Sequence, residues 1–291
     1  MRVVRAVNLQ RSSENAGFLA NSPAIDATPN PSEPPNPLRA HARLGSWAMT
    51  SEVVRIAPRF RGPAQSGNGG YVAGRVGTTL ARVAADGTVP RVRLMLPPPM
   101  QLDLDLTVDT DTARLTTGDT VVAEAVTVDA ETLADAAIDP VDPDEARAAE
   151  SSYRGLSNHP FPGCFVCGPE NTEGLRLRPG PIGDGRTACT WHPTADLAGE
   201  DGLVDPVYLW SALDCPGGWT IDLDNRPSVL GQMTACIDAR PPTGEACVLM
   251  GRILGEDGRK THTATTLYDA DGRILARAHH TWILVNPALF N

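Results

Sequence analysis

The sequence has little positive charge, few aromatic residues and no long apolar run. Lys and Arg number 25 against 35 Asp and Glu, which gives a formal net charge of −10. An acidic surface of this kind argues against nucleic acid and anionic membranes as partners. No stretch of about 18 apolar residues occurs, so we predict no membrane-spanning helix. An apolar segment with a small-residue cleavage site is also missing near residue 1, so we predict no secretory signal.

Cysteine is absent before Cys164, so all six thiols lie in the C-terminal half of the 291 residues. In a large acidic chain this distribution indicates reduced thiols of a cytoplasmic protein rather than a disulfide framework. The hydrophobic content of 41% is compatible with a packed core.

Residues 1–50 are poor in large apolar side chains and rich in Pro, Asn, Ser and Ala. Such a segment cannot bury enough surface to order itself, so we predict a disordered N-terminal extension. Met49 stands directly before the first segment with a structured pattern, and translation could start there.

The N-terminal half, residues 51–128, reads as one helix followed by antiparallel strands. A Gly-rich loop leads to a predicted helix over 71–84, with Asn68 as its N-cap. Strands are predicted over 53–56, 89–96, 102–108, 113–116 and 120–128. The acidic, Ala-rich residues 129–155 are predicted to be a linker with a short helix.

The C-terminal half, residues 156–291, is organised around a second helix that is apolar almost all round. Asp205 is a good N-cap, Pro206 suits the first helical position, and Pro216-Gly217-Gly218 is predicted to end the helix. Strands are predicted over 174–178, 186–191, 229–239, 246–254, 261–268 and 274–285, with Asp-Gly turns between the last pairs.

One carboxylate, Asp214, lies inside this apolar helix. A buried carboxylate without a partner is costly and is rarely kept for packing. Asp214 is therefore the main candidate for a functional residue, although a structural role bonded to neighbouring backbone stays open.

The repeated order of one helix and then strands resembles the hotdog fold, and specifically hotdog acyl-CoA thioesterases. The resemblance implies an α+β double hotdog, two central helices each wrapped by an antiparallel β-sheet, with a degenerate N-terminal unit. In that family a His-Gly-Gly-like entry opens the central helix, and a carboxylate lies about two turns inside. Asn68-Gly69-Gly70 takes the opening place of the first helix, and Asp214 takes the carboxylate place of the second.

The resemblance implies a composite site, with the amide from one helix and the carboxylate from the other. Eight residues along one helix span roughly 12 Å, so a single helix cannot bring both groups to one carbonyl. Gly69 with Asp214 gives a complete pair, whereas Pro206 has no N–H and Gly77 has no carboxylate. The simpler interpretation also stays open, with Pro206 as a helix starter and Gly77 as a close-packing residue.

The predicted function is hydrolysis of an acyl thioester, carried by CoA or a carrier protein. Gly69 and Asp214 are the predicted catalytic pair; Asn68, Gly70 and Thr234 are predicted to bind substrate or the attacking water. The alternative is a non-catalytic acyl-CoA or fatty-ligand binding protein, and an acyl-CoA hydratase ranks last because its entry motif is missing. No cofactor is expected, and a homodimer is a possible assembly.

The Cys164-x-x-Cys167 pair has a spacing that is also typical of zinc ligands. A structural zinc needs four ligands, and although His159 could be a third, spacing places no fourth. We therefore predict no metal. Cys215 is interpreted as a small apolar residue, and His279 and His280 as surface or core residues.

Overall fold

The computed structural model describes residues 50–286. Residues 1–49, which make up all of the predicted N-terminal extension except Thr50, lie outside the described residues, and Thr50 begins the first strand. Among the helices of the described part, none is long and apolar enough to cross a membrane.

The N-terminal half contains one long helix and five strands: β1 (Thr50–Arg55), α1 (Gly69–Ala81), β2 (Thr88–Leu94), β3 (Asp103–Val108), β4 (Thr112–Thr117) and β5 (Thr120–Asp129). The predicted order is confirmed, and α1 begins two residues earlier than expected. Asn68 is the N-cap, because its side chain accepts a hydrogen bond from the Tyr71 N–H at 2.8 Å.

The C-terminal half repeats this order: β6 (Gly180–Gly183), β7 (Arg186–Trp191), α3 (Pro206–Gly218), β8 (Ser228–Ile237), β9 (Cys247–Asp257), β10 (Lys260–Tyr268) and β11 (Ile274–Leu284). Both Asp-Gly turns are present, with Gly258 at φ 57° and Gly272 at φ 77°. Asp205 caps α3 by accepting from the Val207 N–H at 2.9 Å.

All eleven strands form one sheet in the order β1-β3-β4-β5-β2-β8-β11-β10-β9-β7-β6, with antiparallel neighbours throughout. The halves join where Arg91–Arg93 of β2 pair with Gln232–Thr234 of β8. One continuous core contains buried residues of both α1 and α3. The helices approach closely, because a Cβ placed at Gly74 would lie 2.9 Å from the Val207 carbonyl oxygen.

Residues 129–155 are more than a connection between the halves. The short helix expected there is α2 (Pro143–Ala149), but the preceding segment also buries Leu133, Ala136 and Ile138. Thr266 of β10 donates to the Ala136 carbonyl and accepts from the Ile138 N–H at 3.1 Å. The segment therefore covers part of the sheet.

One sequence-based expectation about these elements was wrong. Residues 174–178 form no strand, because Arg176 adopts φ 57° and the flanking N–H groups of Leu175 and Leu177 donate to the carbonyls of Phe165 and Val166. The second helix continues through Pro216 to Gly218. The helix therefore ends within the predicted Pro216-Gly217-Gly218 stop. A Cβ at Gly218 would lie 2.7 Å from the Trp282 ring, so this last helical glycine also permits close packing.

Candidate functional site

Asp214 lies in the contact between the two long helices, and only 2% of its surface is exposed. Its Oδ2 accepts hydrogen bonds from the Gly70 N–H at 3.0 Å and from the Asn68 side-chain amide at 2.9 Å. The carboxylate of α3 is therefore held by the N-terminus of α1, where the helix dipole favours negative charge. Oδ1 is buried and has no hydrogen-bond partner among the described residues.

Asn68 is the residue that joins the two helices. Its Oδ1 caps α1 while its Nδ2 reaches Asp214, so both ends of the amide are used. The Asn68 N–H donates to the Phe60 carbonyl at 2.7 Å, which fixes the loop before the helix. The cap expected from local sequence is thus also a contact between the halves.

Burial raises the pKa of Asp214 to about 7, and the neighbouring Cys164 adds to this effect. The hydrogen bonds from Gly70 and Asn68 act in the opposite direction, because they stabilise the carboxylate. Both protonation states are therefore populated near neutral pH, as proton transfer requires.

A cavity of about 230 Å³ opens beside Asp214. Both halves line it. Its apolar walls include Leu94, Met95, Leu96, Pro97, Trp219, Leu223, Val229, Leu230, Trp282 and Ile283. Its polar end contains Asn68, Gly69, His159, Cys164, Cys167, Asp214 and Cys215. An apolar pocket with a few convergent polar groups is the usual form of a small-molecule site.

The structure brings together four of the five predicted site residues. Gly69 lines the cavity beside Asn68 and Asp214, while the Asp214 carboxylate is bonded to the next amide, that of Gly70. Thr234 is not brought to the site. It lies opposite His279 in the β8–β11 ladder, and Nε2 of His279 lies 3.0 Å from a carboxylate oxygen of Asp135 in the segment over residues 129–155.

At Gly77, the position that mirrors the Asp214 carboxylate, an indole ring packs against the helix. A Cβ placed at Gly77 would lie 2.6 Å from Cζ2 of Trp210, so the indole occupies the space next to that glycine. Pro206 is the first residue of α3 and has no N–H to offer. The close-packing interpretation of Gly77 therefore agrees with the geometry.

Three thiols meet at the polar end of the cavity, and sequence reasoning missed the third. The sulfur atoms of Cys164, Cys167 and Cys215 all lie within 4.8 Å of one another. Sγ of Cys215 is 3.1 Å from Cys167 and 3.9 Å from Cys164. All six cysteines are free thiols. The only sequence signal was that Cys215 directly follows the candidate Asp214.

His280 belongs to the core beneath α3. Its Nδ1 lies 3.3 Å from the Thr263 hydroxyl, which also accepts from the Trp282 indole N–H at 3.0 Å. Burial lowers the pKa of His280 to about 3, so the ring is neutral in the folded chain.

The sequence matches no protein-family model and no curated protein. Solved structures are similar over most of the chain. One, from Novosphingobium aromaticivorans DSM 12444 and described as a candidate thioesterase, is 15% identical, with 81% of this chain and 96% of that chain covered at a TM-score of 0.58. The tesB protein of Mycobacterium avium subs. paratuberculosis is 13% identical, with coverage of 84% and 95% and a TM-score of 0.53.

A third structure is a conserved protein of unknown function with hot dog fold from Alicyclobacillus acidocaldarius. It is 14% identical, and the alignment covers 82% of this chain and 96% of that chain at a TM-score of 0.55. At such low sequence identity, the structural similarity establishes the fold alone. The chain therefore has the hotdog fold.

Proposed function

We propose that the chain is an acyl-thioester hydrolase built from two hotdog units, with one composite active site between them. The observation that carries the proposal is the Asp214 carboxylate of α3, held by Asn68 and Gly70 of the other half beside an apolar cavity. The substrate is an acyl-CoA or a carrier-bound acyl thioester. One of the similar structures is itself described as a candidate thioesterase.

Asp214 serves as the general base in this proposal. Two donors hold Oδ2, whereas Oδ1 has no partner among the described residues and is free to accept a proton. A water molecule attacks the thioester carbonyl carbon and gives its proton to Asp214. The carbon–sulfur bond then breaks, and the leaving thiolate takes the proton back, so the products are a carboxylic acid and a thiol.

The oxyanion donor in this proposal is the Gly69 N–H. Negative charge on the carbonyl oxygen needs a preorganised donor, and the first N–H groups of a helix have no partner within that helix. Because Asp214 already binds the Gly70 N–H, the preceding amide is the one left for substrate. Asn68 positions Asp214, and Gly70 completes the same contact.

The test is free-thiol release over a panel of acyl-CoA chain lengths, with binding measured in parallel. Hydrolysis of at least one member, lost in Asp214→Asn, is the expected result. Binding without thiol release would instead favour the non-catalytic acyl-ligand protein, in which the Asp214 contact only ties the helices together.

Two further proposals need separate tests. Light scattering would test the proposed homodimer, and fractionation would test the expected cytoplasmic location.

A further inference from the structure

The thiol cluster beside the cavity is built from two distant parts of the chain. Cys164 and Cys167 lie in the loop over residues 159–168, and Cys215 lies on α3. All three are at most 7% exposed. Hydrolysis as proposed uses none of them, so their convergence needs a separate explanation.

The loop is folded tightly enough to fix its two sulfur atoms. A Cβ placed at Gly168 would lie 2.4 Å from the Cys164 nitrogen, so only glycine permits this return of the chain. The Gly168 N–H donates to the Cys164 carbonyl at 2.9 Å, and the Tyr153 hydroxyl donates to the Cys167 carbonyl at 2.9 Å. Arg154 donates to the Ile221 carbonyl at 2.7 Å, which ties this region to the end of α3.

The spacing of the sulfur atoms suits a tetrahedral metal ion. Zinc–sulfur bonds of about 2.3 Å at tetrahedral angles place the sulfur atoms roughly 3.8 Å apart. The distances of 3.1 Å and 3.9 Å from Cys215 to its two neighbours lie near that value. Thiolates favour zinc over the hard ions magnesium and calcium.

His159 contacts the cluster as a hydrogen-bond donor. Its Nδ1 accepts from the Phe161 N–H at 2.9 Å, so in the neutral ring Nε2 carries the proton. Nε2 lies 3.3 Å from the Cys167 sulfur and can donate to a thiolate there. The Asn68 side-chain amide lies 3.7 Å from the Cys164 sulfur and likewise acts as a hydrogen-bond donor. Both contacts would stabilise the negative charge that thiolate ligands carry.

We propose that Cys164, Cys167 and Cys215 bind one zinc ion whose fourth coordination position faces the cavity. Three protein ligands and one open position are typical of zinc sites that take a water or a ligand. All three cysteines and Asp214 line the cavity, so that fourth ligand comes from the same space as the substrate. The proposal departs from the sequence-based expectation of no metal, which considered only the Cys164-x-x-Cys167 pair because Cys215 is remote from it in the chain.

The test uses the full-length reduced chain, loaded with zinc, desalted and analysed for metal. We expect roughly one zinc ion per chain in the wild type and in Cys236→Ser, a thiol outside the cluster. Cys215→Ala, which suits a helix, should retain below roughly a tenth of that zinc while its circular dichroism stays unchanged. Equal zinc in Cys215→Ala and Cys236→Ser would overturn the proposal.

A second measurement does not depend on any variant folding. Cobalt(II) added to the metal-free wild-type chain should give thiolate-to-cobalt charge-transfer absorption and the visible bands of a tetrahedral ion, and zinc should displace both. Three fewer thiols should then react with a thiol reagent. A reduced chain that binds neither ion would refute the site, and a Cys167–Cys215 disulfide formed in air would then point to a redox pair.

Discussion

At the scale of single residues, the two oxygens of Asp214 have different environments. Oδ2 accepts two hydrogen bonds from the other half, and Oδ1 accepts none from the described residues. In the proposed mechanism, the first oxygen positions the carboxylate and the second accepts the proton. A single substitution separates these two roles.

Asp214→Asn should keep the fold and lower thiol release by about 10² or more, because the amide oxygen can accept from Gly70 and Asn68 but cannot act as a base. Steady-state thiol release and urea unfolding measure the two effects. The matched control is Asp205→Asn, which retains an N-cap for α3 and should leave the rate nearly unchanged. Equal activity in the two variants would contradict the assignment.

Asp214 could be selected from the sequence because a lone carboxylate in an apolar helix is unusual. Its partners could be only partly predicted: Asn68 was expected as a cap, and the Asn68–Asp214 bond spans 146 residues. Contacts across such separations leave no local pattern. The same reason explains why Cys215 was not linked to Cys164.

At the scale of elements, the first turn of α1 provides both the cap and the proposed donor. Gly69 occupies the first helical position, where proline is tolerated, and Asn68 has the extended conformation that precedes proline readily. A proline at position 69 therefore removes one N–H, while its backbone conformation remains compatible with Asn68 as the N-cap and with the start of the helix.

Gly69→Pro should lower the rate by about 10²–10³ if this N–H is the oxyanion donor. A Cβ at this position would lie 2.9 Å from Cβ of Leu230, so the substitution also brings crowding. Gly69→Ala brings the same crowding but keeps the N–H, and the ratio of the two rates isolates the donor. A ratio near one would show that the amide takes no part.

A second pair of glycines on α1 separates packing from chemistry. Gly70→Ala and Gly77→Ala each place a Cβ too close to α3, at 2.5 Å from Asp214 and 2.6 Å from Trp210 respectively. Both should lower the free energy of unfolding by about 1–3 kcal/mol, measured by urea titration.

Only Gly70→Ala should also lower thiol release per folded molecule, because it displaces the carboxylate. Gly255→Ala is the neutral control, since nothing lies within 4 Å of a Cβ there. Equal rate losses in the Gly70 and Gly77 variants would show that packing alone governs activity.

Helices and strands could be predicted where apolar and polar residues follow a regular period. The ends of the alternating strands and of the capped helices were predicted to within a few residues. The strand predicted over 174–178 does not exist, because Arg176 has a positive φ that composition does not reveal. The predicted Pro216-Gly217-Gly218 stop contains the end of α3, although Pro216 itself still lies inside the last turn.

At the scale of the whole molecule, the buried His280 links stability to pH. Its pKa is about 3 when folded and near 6.5 when unfolded, so the unfolded chain binds the extra proton between these values. The contribution to stability is present above about pH 6.5 and is lost as the pH falls toward 3.

The free energy of unfolding should therefore drop by about 2 kcal/mol between pH 7 and pH 5 through this residue, in addition to other groups. His280→Gln should show a shallower dependence in urea titrations at the two pH values. The same substitution at the exposed His192, His192→Gln, is measured alongside as the control. Parallel curves for the wild type and His280→Gln would exclude this account.

The indole of Trp210 packed on Gly77 has a consequence for stoichiometry. In the proposed arrangement, a pair of identical units would contain two equivalent sites, and the Trp210 indole fills the space beside Gly77 in one of them. Titration with a tight-binding thioester analogue should therefore saturate at one equivalent per polypeptide. Under the proposed function, the N-terminal half supplies the hydrogen-bond donors and the C-terminal half supplies the base.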